Sequence, residues 1–282
     1  MTTPVIDTHV HLLDPGQIRY PWLESVPPLN QPFRVQEFQA ASTGLGIEKI
    51  VFMEVDAHAD DGLKEVAWVS ELAQAEPRIE GIVAAAPLEQ GEAVKPYLES
   101  LAHYPLVKGV RRLIQGEGPG FSRQPDFVQG VQLLPAFNLS FDICIYHHQL
   151  ADVLQLVGQC PAVDFVLDHV GKPGIKAGRF DPWRAEIEAL AQFPNVACKI
   201  SGMVTEADHQ HWTPEQLRPY IDHVVAAFGP ERIMYGGDWP VSTLATTYKT
   251  WFETLQAATA HFSDGDRHKL FYANASAFYK LG

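Results

Sequence analysis

The sequence predicts an α/β protein, a (β/α)₈ TIM barrel folded as a single domain over residues 1–282. Short apolar runs recur along the chain, helix-like segments separate them, and polar residues follow nearly every run. The length suits one large barrel. A doubly wound open sheet is the alternative. It is disfavoured because no GxGxxG follows the first run and the polar residues are not confined to one switch point.

Eight runs are predicted to be strands. Each is short, rich in β-branched residues and close to continuously apolar, as expected of a parallel sheet that is buried on both faces. The runs are PVIDTHVH (4–11), KIVFMEV (49–55), IEGIVAAAP (79–87), VKGVRRLI (107–114), SFDICIYH (140–147), DFVLDHVG (164–171), NVACKISG (195–202) and RIMYGGDW (232–239).

The segments between the strands carry helix signals. Asp181 is predicted to be an N-cap, with Pro182 at the first helical position. Thr213 is predicted to cap a second helix, which Gly229 ends. The last segment, 263–281, is predicted to form one amphipathic helix.

The connection after the first strand, residues 12–33, is unusually long and rich in proline. A long ordered loop in a compact domain is usually functional. We expect this loop to lie over the C-terminal mouth of the barrel.

Composition excludes several classes of protein. The net charge is −13, from 21 Lys+Arg against 34 Asp+Glu, and no basic cluster offsets it, so neither nucleic acid nor an anionic membrane is an expected partner. The sequence has no 18-residue apolar run and no signal-peptide layout at its start. Three cysteines without CxxC spacing predict reduced thiols in a cytoplasmic protein. The oligomeric state stays open.

Polar residues cluster where the predicted strands end, which is where barrel enzymes place their active sites. In strand order they are Asp7, His9 and His11; Glu54, Asp56 and His58; Arg111, Arg112 and Gln115; Tyr146, His147 and His148; Asp168, His169 and Lys172; Lys199 and Ser201; and Asp238 with Trp239.

Four of these residues are the predicted catalytic set. His9 and His11 share strand parity, so both side chains point to one face. His169 arrives from the sixth strand and Asp238 from the eighth, next to the first. Three imidazoles and one carboxylate suit a zinc ion with room for water. The same set also suits catalysis without metal, in which the histidines polarise a carbonyl and Asp238 takes a proton from water.

Further residues are candidates for binding a small polyol. Arg111 and Arg112 alternate in direction, so one can face the lumen while the other packs or pairs outside. The remaining candidates are Lys172, Tyr146, His147, Trp22, Trp239 and Glu54. The tryptophans have flat faces that suit a sugar ring. Their alternative role is to pack the loop. Glu54 is predicted to be a substrate hydrogen-bonder, a metal ligand or a buried ion-pair partner.

Together these motifs resemble the amidohydrolase superfamily of metal-dependent hydrolases. RYPWL, PLNQPF, GVRRLIQ, DHVGKP, KISGM, MYGGDWPV and YANASAFYKL are similar to the branch that hydrolyses lactones, and the resemblance covers essentially the whole chain. It implies a role in sugar catabolism, with lactones of sugar acids such as L-fucono- and L-rhamnono-lactone, or dicarboxylate lactones, as substrates.

The sequence departs from the family pattern in two places. GVRRLIQ lacks the lysine or glutamate that many members carry at the end of strand 4, so a two-metal site is not expected. The second strand ends in Glu54 where the lactone-hydrolysing relatives tend to have glutamine, and this extra carboxylate favours a cation. The resemblance therefore implies one divalent metal on His9, His11, His169 and Asp238, or none, because these relatives differ in their need for metal.

The predicted function is hydrolysis of a neutral sugar lactone, with Asp238 as general base and the three histidines stabilising the oxyanion directly or through a metal. Three alternatives stay open. Two are enzymes on the same scaffold, a dicarboxylate-lactone hydrolase and a metal-dependent decarboxylase. The third is a non-catalytic sugar-acid binding protein, which should have lost the base or the HxH pair.

Overall fold

The computed structural model describes residues 4–282. Its eight parallel strands form one sheet in chain order: β1 Val5–Val10, β2 Ile47–Met53, β3 Ile79–Ala85, β4 Val107–Arg111, β5 Ser140–Ile143, β6 Phe165–Leu167, β7 Val196–Ile200 and β8 Ile233–Tyr235. The chain beyond β8 returns to β1, where the Asp238 N–H donates to the His9 carbonyl at 2.8 Å and the His11 N–H to the Trp239 carbonyl at 2.7 Å. The predicted barrel is confirmed.

A helix follows every strand. The helices are α1 Val35–Ala41, α2 Gly62–Ala75, α3 Lys95–Leu101, α4 Pro125–Gln132, α5 Leu150–Gln159, α6 Trp183–Ala191, α7 Pro214–Phe228, α8 Tyr248–Ala258, α9 Asp264–His268 and α10 Asn274–Phe278. Within residues 4–282, none of them has the length and apolarity needed to cross a membrane.

Several strands end earlier than the sequence predicts. β6 ends at Leu167 and β8 at Tyr235, whereas the predicted strands ran to 171 and 239. The chain leaves the sheet because its backbone turns left-handed, with φ of 54° at His169 and 53° at Asp238. These two residues therefore lie on short loops just beyond the strands.

Two helix predictions are wrong. Helix α6 begins at Trp183, and the Asp181 carboxylate lies 3.3 Å from Nε of Arg184 instead of capping the helix. The last segment is not one α-helix, because a π-helical turn over Lys269–Ala273 separates α9 from α10. This wider turn lets Leu270 and Phe271, adjacent in sequence, both become buried.

Helix α7 matches its prediction. It follows Thr213, whose N–H donates to the Gln216 side chain at 3.0 Å, and it ends at Gly229 with a φ of 68°. The proline at its first position costs no hydrogen bond, because the first N–H groups of a helix have no partner within the helix.

Apolar side chains fill the barrel interior beneath the strand ends. They form a cluster distinct from the larger core between strands and helices. Its buried members are Ile6, Val51, Met53, Val83, Val166, Ala197, Met234, Ala275, Tyr279 and Leu281. The C-terminal segment therefore closes the interior from below and leaves the opposite end for polar residues.

A buried cluster of charges lies next to this apolar layer. Nζ of Lys199 lies 2.6 Å from Oδ2 of Asp142 and 3.0 Å from Oδ1 of Asp168, and none of the three side chains is exposed. The Tyr279 hydroxyl donates to Asp142 at 2.7 Å. We call Asp142, Asp168, Lys199 and Tyr279 the buried lysine cluster. Two carboxylates this deep need the cation between them.

Replacing Lys199 with methionine tests the buried lysine cluster. The substitution keeps the side-chain length and leaves both carboxylates without a cation, so we expect the free energy of unfolding in urea to fall by about 3–5 kcal/mol. Lys176→Met is the matched control, because Lys176 is 68% exposed and pairs with Asp208 at the surface. It should cost less than about 1 kcal/mol. Equal effects of the two substitutions would contradict the assignment.

Candidate active site

Three imidazoles and one carboxylate converge at the C-terminal end of the barrel. Nε2 of His9, His11 and His169 lie 3.8, 3.5 and 4.0 Å from Oδ1 of Asp238. All four side chains are buried. The structure thus brings together the four residues that the sequence predicts as the catalytic set.

Two of the imidazoles are oriented by acceptors on their outer side. Nδ1 of His11 lies 3.0 Å from the Met53 carbonyl, and Nδ1 of His9 lies 3.4 Å from Oδ1 of Asp168. A carbonyl oxygen only accepts, so the ring proton of His11 is assigned to Nδ1. Nη1 of Arg111, which only donates, lies 3.4 Å from Nε2 of His9, so the ring proton of His9 is assigned to Nδ1 as well. Their Nε2 lone pairs consequently face Asp238.

His169 is oriented by the end of β7. Nδ1 of His169 lies 2.9 Å from Oγ of Ser201, and the His169 N–H donates to the same oxygen at 3.3 Å. Gly202 follows with a φ of 57°, and a Cβ at this position would collide with the imidazole. A residue without a side chain is therefore needed for His169 to reach the site.

Asp7 and Gly237 hold the two strand ends that carry this site. The Asp7 carboxylate accepts hydrogen bonds from the N–H groups of His9 at 2.9 Å and Gly237 at 2.8 Å, and from the Tyr248 hydroxyl at 2.6 Å. A Cβ on Gly237 would collide with Asp7 and Tyr248. Asp7 thus positions its neighbours.

The residues present fit a divalent cation. Lone pairs of nitrogen that face a carboxylate repel it unless a proton or a cation lies between them. Burial lowers the pKa of His9 well below its usual value and that of His169 to about 4, so both rings are neutral at neutral pH. Neutral imidazole is the form that binds metal, and three imidazoles with a carboxylate are ligands that zinc accepts. His9, His11 and Asp238 have ligand atoms close enough to share one ion.

Arg111 enters the barrel beside this group. Its Nε donates to Oε1 of Glu54 at 2.5 Å and its Nη2 to the Glu54 carbonyl at 2.7 Å. Its Nη1 lies 3.3 Å from Oδ2 of Asp168 and 3.4 Å from Nε2 of His9. Burial alone would lower the pKa of Arg111, but the carboxylates raise it, so the guanidinium stays charged. Of the three roles predicted for Glu54, the structure shows a buried ion pair.

Arg112 follows the last residue of β4 and points away from the barrel interior. Its guanidinium lies 3.0 Å from Glu89 and 2.6 Å from Glu117. Of the two arginines, therefore, Arg111 faces the lumen and Arg112 pairs outside.

A cavity of about 210 Å³ opens above the converging side chains. It is lined by His11, Trp22, Val55, Asp56, Arg111, Leu113, Gln115, Cys144, His169, Lys172, Thr205, Asp238 and Val241. The Trp22 indole donates to the Val55 carbonyl at 2.8 Å, which places part of the 12–33 loop at the wall of this cavity. Lys172 donates to the Gln115 side chain.

Besides Arg112 and Glu54, three more of the predicted substrate-binding residues lie outside this cavity with other partners. Trp239 is 3% exposed and packs edge-on against the rings of Phe33 and Phe38, so it supports the loop. Tyr146 and His147 lie behind Lys172, whose Nζ is 5.4 Å from the tyrosine ring and whose carbonyl is 2.9 Å from Nδ1 of His147. The predicted strand 140–147 included these two residues, but β5 ends at Ile143.

Sequence reasoning did not select several residues that line the cavity. Asp56 and Gln115 are among the polar residues that follow the predicted strands, so their position in the sequence could have identified them as residues of the site. Thr205 follows β7 within a short 3₁₀ helix, Val204–Glu206, where no strand period applies. Cys144 follows β5 directly, but in the sequence a single cysteine cannot be distinguished from a small residue of the core.

The chain is similar in sequence to a known protein family and to curated proteins. A family model described as amidohydrolase matches residues 6–281. The chain is 30% identical to the uncharacterized protein y4mH of Sinorhizobium fredii, with 98% of both chains covered. It is 29% identical to the L-fucono-1,5-lactonase of Burkholderia multivorans, with 98% of this chain and 96% of that protein covered.

A solved structure supports the same relationship. The crystal structure of an amidohydrolase from Burkholderia multivorans with bound zinc superposes with a TM-score of 0.88, at 29% identity, with 99% of this chain and 100% of that chain covered. The family resemblance predicted from the motifs is confirmed. This chain belongs to the amidohydrolase family.

Proposed function

We propose that this protein hydrolyses the lactone of a neutral sugar acid, an aldonolactone such as L-fucono- or L-rhamnono-lactone. The convergence of His9, His11 and His169 on Asp238 beneath a small cavity carries the proposal. Such a group can activate water and stabilise an oxyanion, the two requirements of ester hydrolysis. Membership of the amidohydrolase family and similarity to an L-fucono-1,5-lactonase support it.

Asp238 is the proposed general base. Burial by itself raises the pKa of Asp238, but a proton or cation shared with the imidazoles around it lowers the pKa below its ordinary value, so the group is a carboxylate at neutral pH. It takes a proton from water as the water oxygen attacks the lactone carbonyl carbon. When the bond from that carbon to the ring oxygen breaks, the same carboxyl returns the proton to the ring oxygen.

The side-chain tautomers favour the metal-dependent form of the mechanism. With their ring protons on Nδ1, His9 and His11 present Nε2 lone pairs, which cannot donate hydrogen bonds to an oxyanion. We propose that these two residues, His169 and Asp238 hold one divalent ion, with zinc as the candidate. When bound, such an ion supplies a Lewis acid for the carbonyl oxygen.

The charges around the cavity favour an uncharged substrate. The guanidinium of Arg111 is already engaged by Glu54 and Asp168, so it is not free to bind a substrate carboxylate. Lys172 lines the cavity as a second cation, but the carboxylates of Asp56 and Asp238 line it as well. A dicarboxylate lactone would meet these acidic groups without a matching pair of free cations.

A panel of substrates tests the proposal directly. Neutral aldonolactones should be hydrolysed, with release of acid that a pH indicator registers, and dicarboxylate lactones should react much more slowly, since the free positive charge is small. Carbon dioxide release from unsaturated acids should be absent. Preference for dicarboxylate lactones, or decarboxylation without lactone hydrolysis, would overturn the proposal.

Asp238→Asn tests the general base. Asparagine tolerates the left-handed backbone at this position, so the fold should persist, as circular dichroism and thermal unfolding would show. We expect kcat to fall by about 10²–10⁴-fold, the usual contribution of general-base catalysis. Asp222→Asn, on the exposed face of α7, is the charge-matched control and should leave kcat unchanged. Wild-type activity in the Asp238 variant would refute its role.

Metal analysis tests the ligand assignment independently of activity. The purified protein, reconstituted with zinc and desalted, should retain about one ion per chain, as expected of a single four-ligand site. His11→Ala should lower this content, and His261→Ala, at an exposed position, should not. No retained metal together with activity that survives prolonged chelation would support the metal-free mechanism instead.

A further inference from the structure

A second cavity adjoins the one described above. It has a volume of about 580 Å³ and lies between the loops that follow β2, β3 and β4. Asp56, Arg111 and Leu113 line both cavities, so the two spaces meet at these residues. Ligands of barrel enzymes bind at this end of the fold, and the proposed mechanism uses only the smaller cavity.

Small residues create the space. The walls of the second cavity include Ala57, Ala59, Gly62, Ala85 and Ala86. A Cβ on Gly62 would lie 2.6 Å from the Tyr97 hydroxyl, so the glycine allows this polar group to approach the cavity wall. The cavity is therefore bounded by short side chains and offers hydrogen-bonding groups.

Most charges on these walls are already paired. Glu54 is bound by Arg111, and Glu89 lies 3.0 Å from Nε of Arg112. Asp60 lies 3.6 Å from Arg19. A polar wall whose charges are paired internally suits an uncharged ligand rich in hydroxyl groups, and it offers no free cation for an anion.

Asp56 differs from these acidic residues. Among the described residues, no hydrogen bond or ion pair engages its carboxylate, although its N–H donates to Oε2 of Glu54 at 2.7 Å. Its φ of 52° is a left-handed conformation that costs energy in a residue other than glycine. Partial burial and, after it, the nearby Glu54 raise the pKa of Asp56, whose side chain is exposed to solvent at the junction and so is open to a ligand.

We propose that the second cavity is a subsite for an uncharged hydroxylated chain attached to the lactone ring, and that Asp56 binds a hydroxyl of this chain at the junction. The inference rests on the proposed lactone hydrolysis. The hydroxylated chain is either the exocyclic carbons of an aldonolactone or the second sugar of a disaccharide-derived lactone. In both cases the Asp56 carboxylate accepts charge-assisted hydrogen bonds from hydroxyl groups.

Asp56→Asn tests the inference, because asparagine also adopts a positive φ and so preserves the loop. kcat and KM are measured separately for aldonolactones of increasing chain length and for a disaccharide-derived lactone. Loss of a charge-assisted hydrogen bond should raise KM about tenfold for lactones with a long chain. KM for the shortest lactone and kcat for all of them should change little, a split that general loss of stability would not produce.

Two further variants serve as controls. Glu24→Gln removes the same charge from an exposed site on the 12–33 loop, outside both cavities, and should leave KM unchanged. Ala59→Trp fills the second cavity from its exposed rim and should raise KM most for the longest substrate. A lower KM for the disaccharide lactone than for the monosaccharide lactones would identify a second sugar as the occupant, and the reverse order would identify the exocyclic chain.

The failures of the two proposals can be told apart. If the wild-type protein hydrolyses aldonolactones and Asp56→Asn leaves KM unchanged for every chain length, the subsite is wrong and the function stands. If the wild-type protein hydrolyses no lactone, the function is wrong, and so is the subsite that depends on it.

Discussion

The carboxylate of Asp168 lies at the centre of the polar interior of the barrel. Oδ1 is 3.0 Å from Nζ of Lys199 and 3.4 Å from Nδ1 of His9, and Oδ2 is 3.3 Å from Nη1 of Arg111. Burial alone raises the pKa of Asp168, but Lys199 above all, with the neighbouring histidines, lowers it well below the usual value, so the group stays ionised. A buried charge requires partners of this kind, and they come from three other strand ends.

The Asp168 carboxylate links the stability of the barrel to the chemistry at its C-terminal end. Because Asp168 lies against the Nδ1 side of the His9 ring, Nε2 of His9 is directed towards Asp238. Because Asp168 and Glu54 occupy Arg111, the guanidinium contributes positive charge to the site without offering free donors to a substrate. The interactions that compensate for buried charge therefore also set the proposed preference for a metal ion and an uncharged lactone.

Several residues around the site share a left-handed backbone conformation. Asp56, His169 and Asp238 all have φ near 53°, and each follows the end of a strand. Val170, which is β-branched, has a φ of 49°, an unusual value for such a residue. The side chains are held in their orientation before any ligand binds, as preorganised catalysis requires.

The sequence by itself determined the barrel and the convergence of His9, His11, His169 and Asp238, because the C-terminal ends of parallel strands meet at one end of a closed sheet. Tertiary structure alone decided that Glu54 pairs with Arg111, and that Trp239 and Tyr146 lie outside the cavity. The physical reason is twofold. Strand alternation fails where a strand ends, as before Tyr146, or where the backbone turns left-handed, as at Asp238. A buried charge takes its partner from distant parts of the chain, which no local pattern encodes.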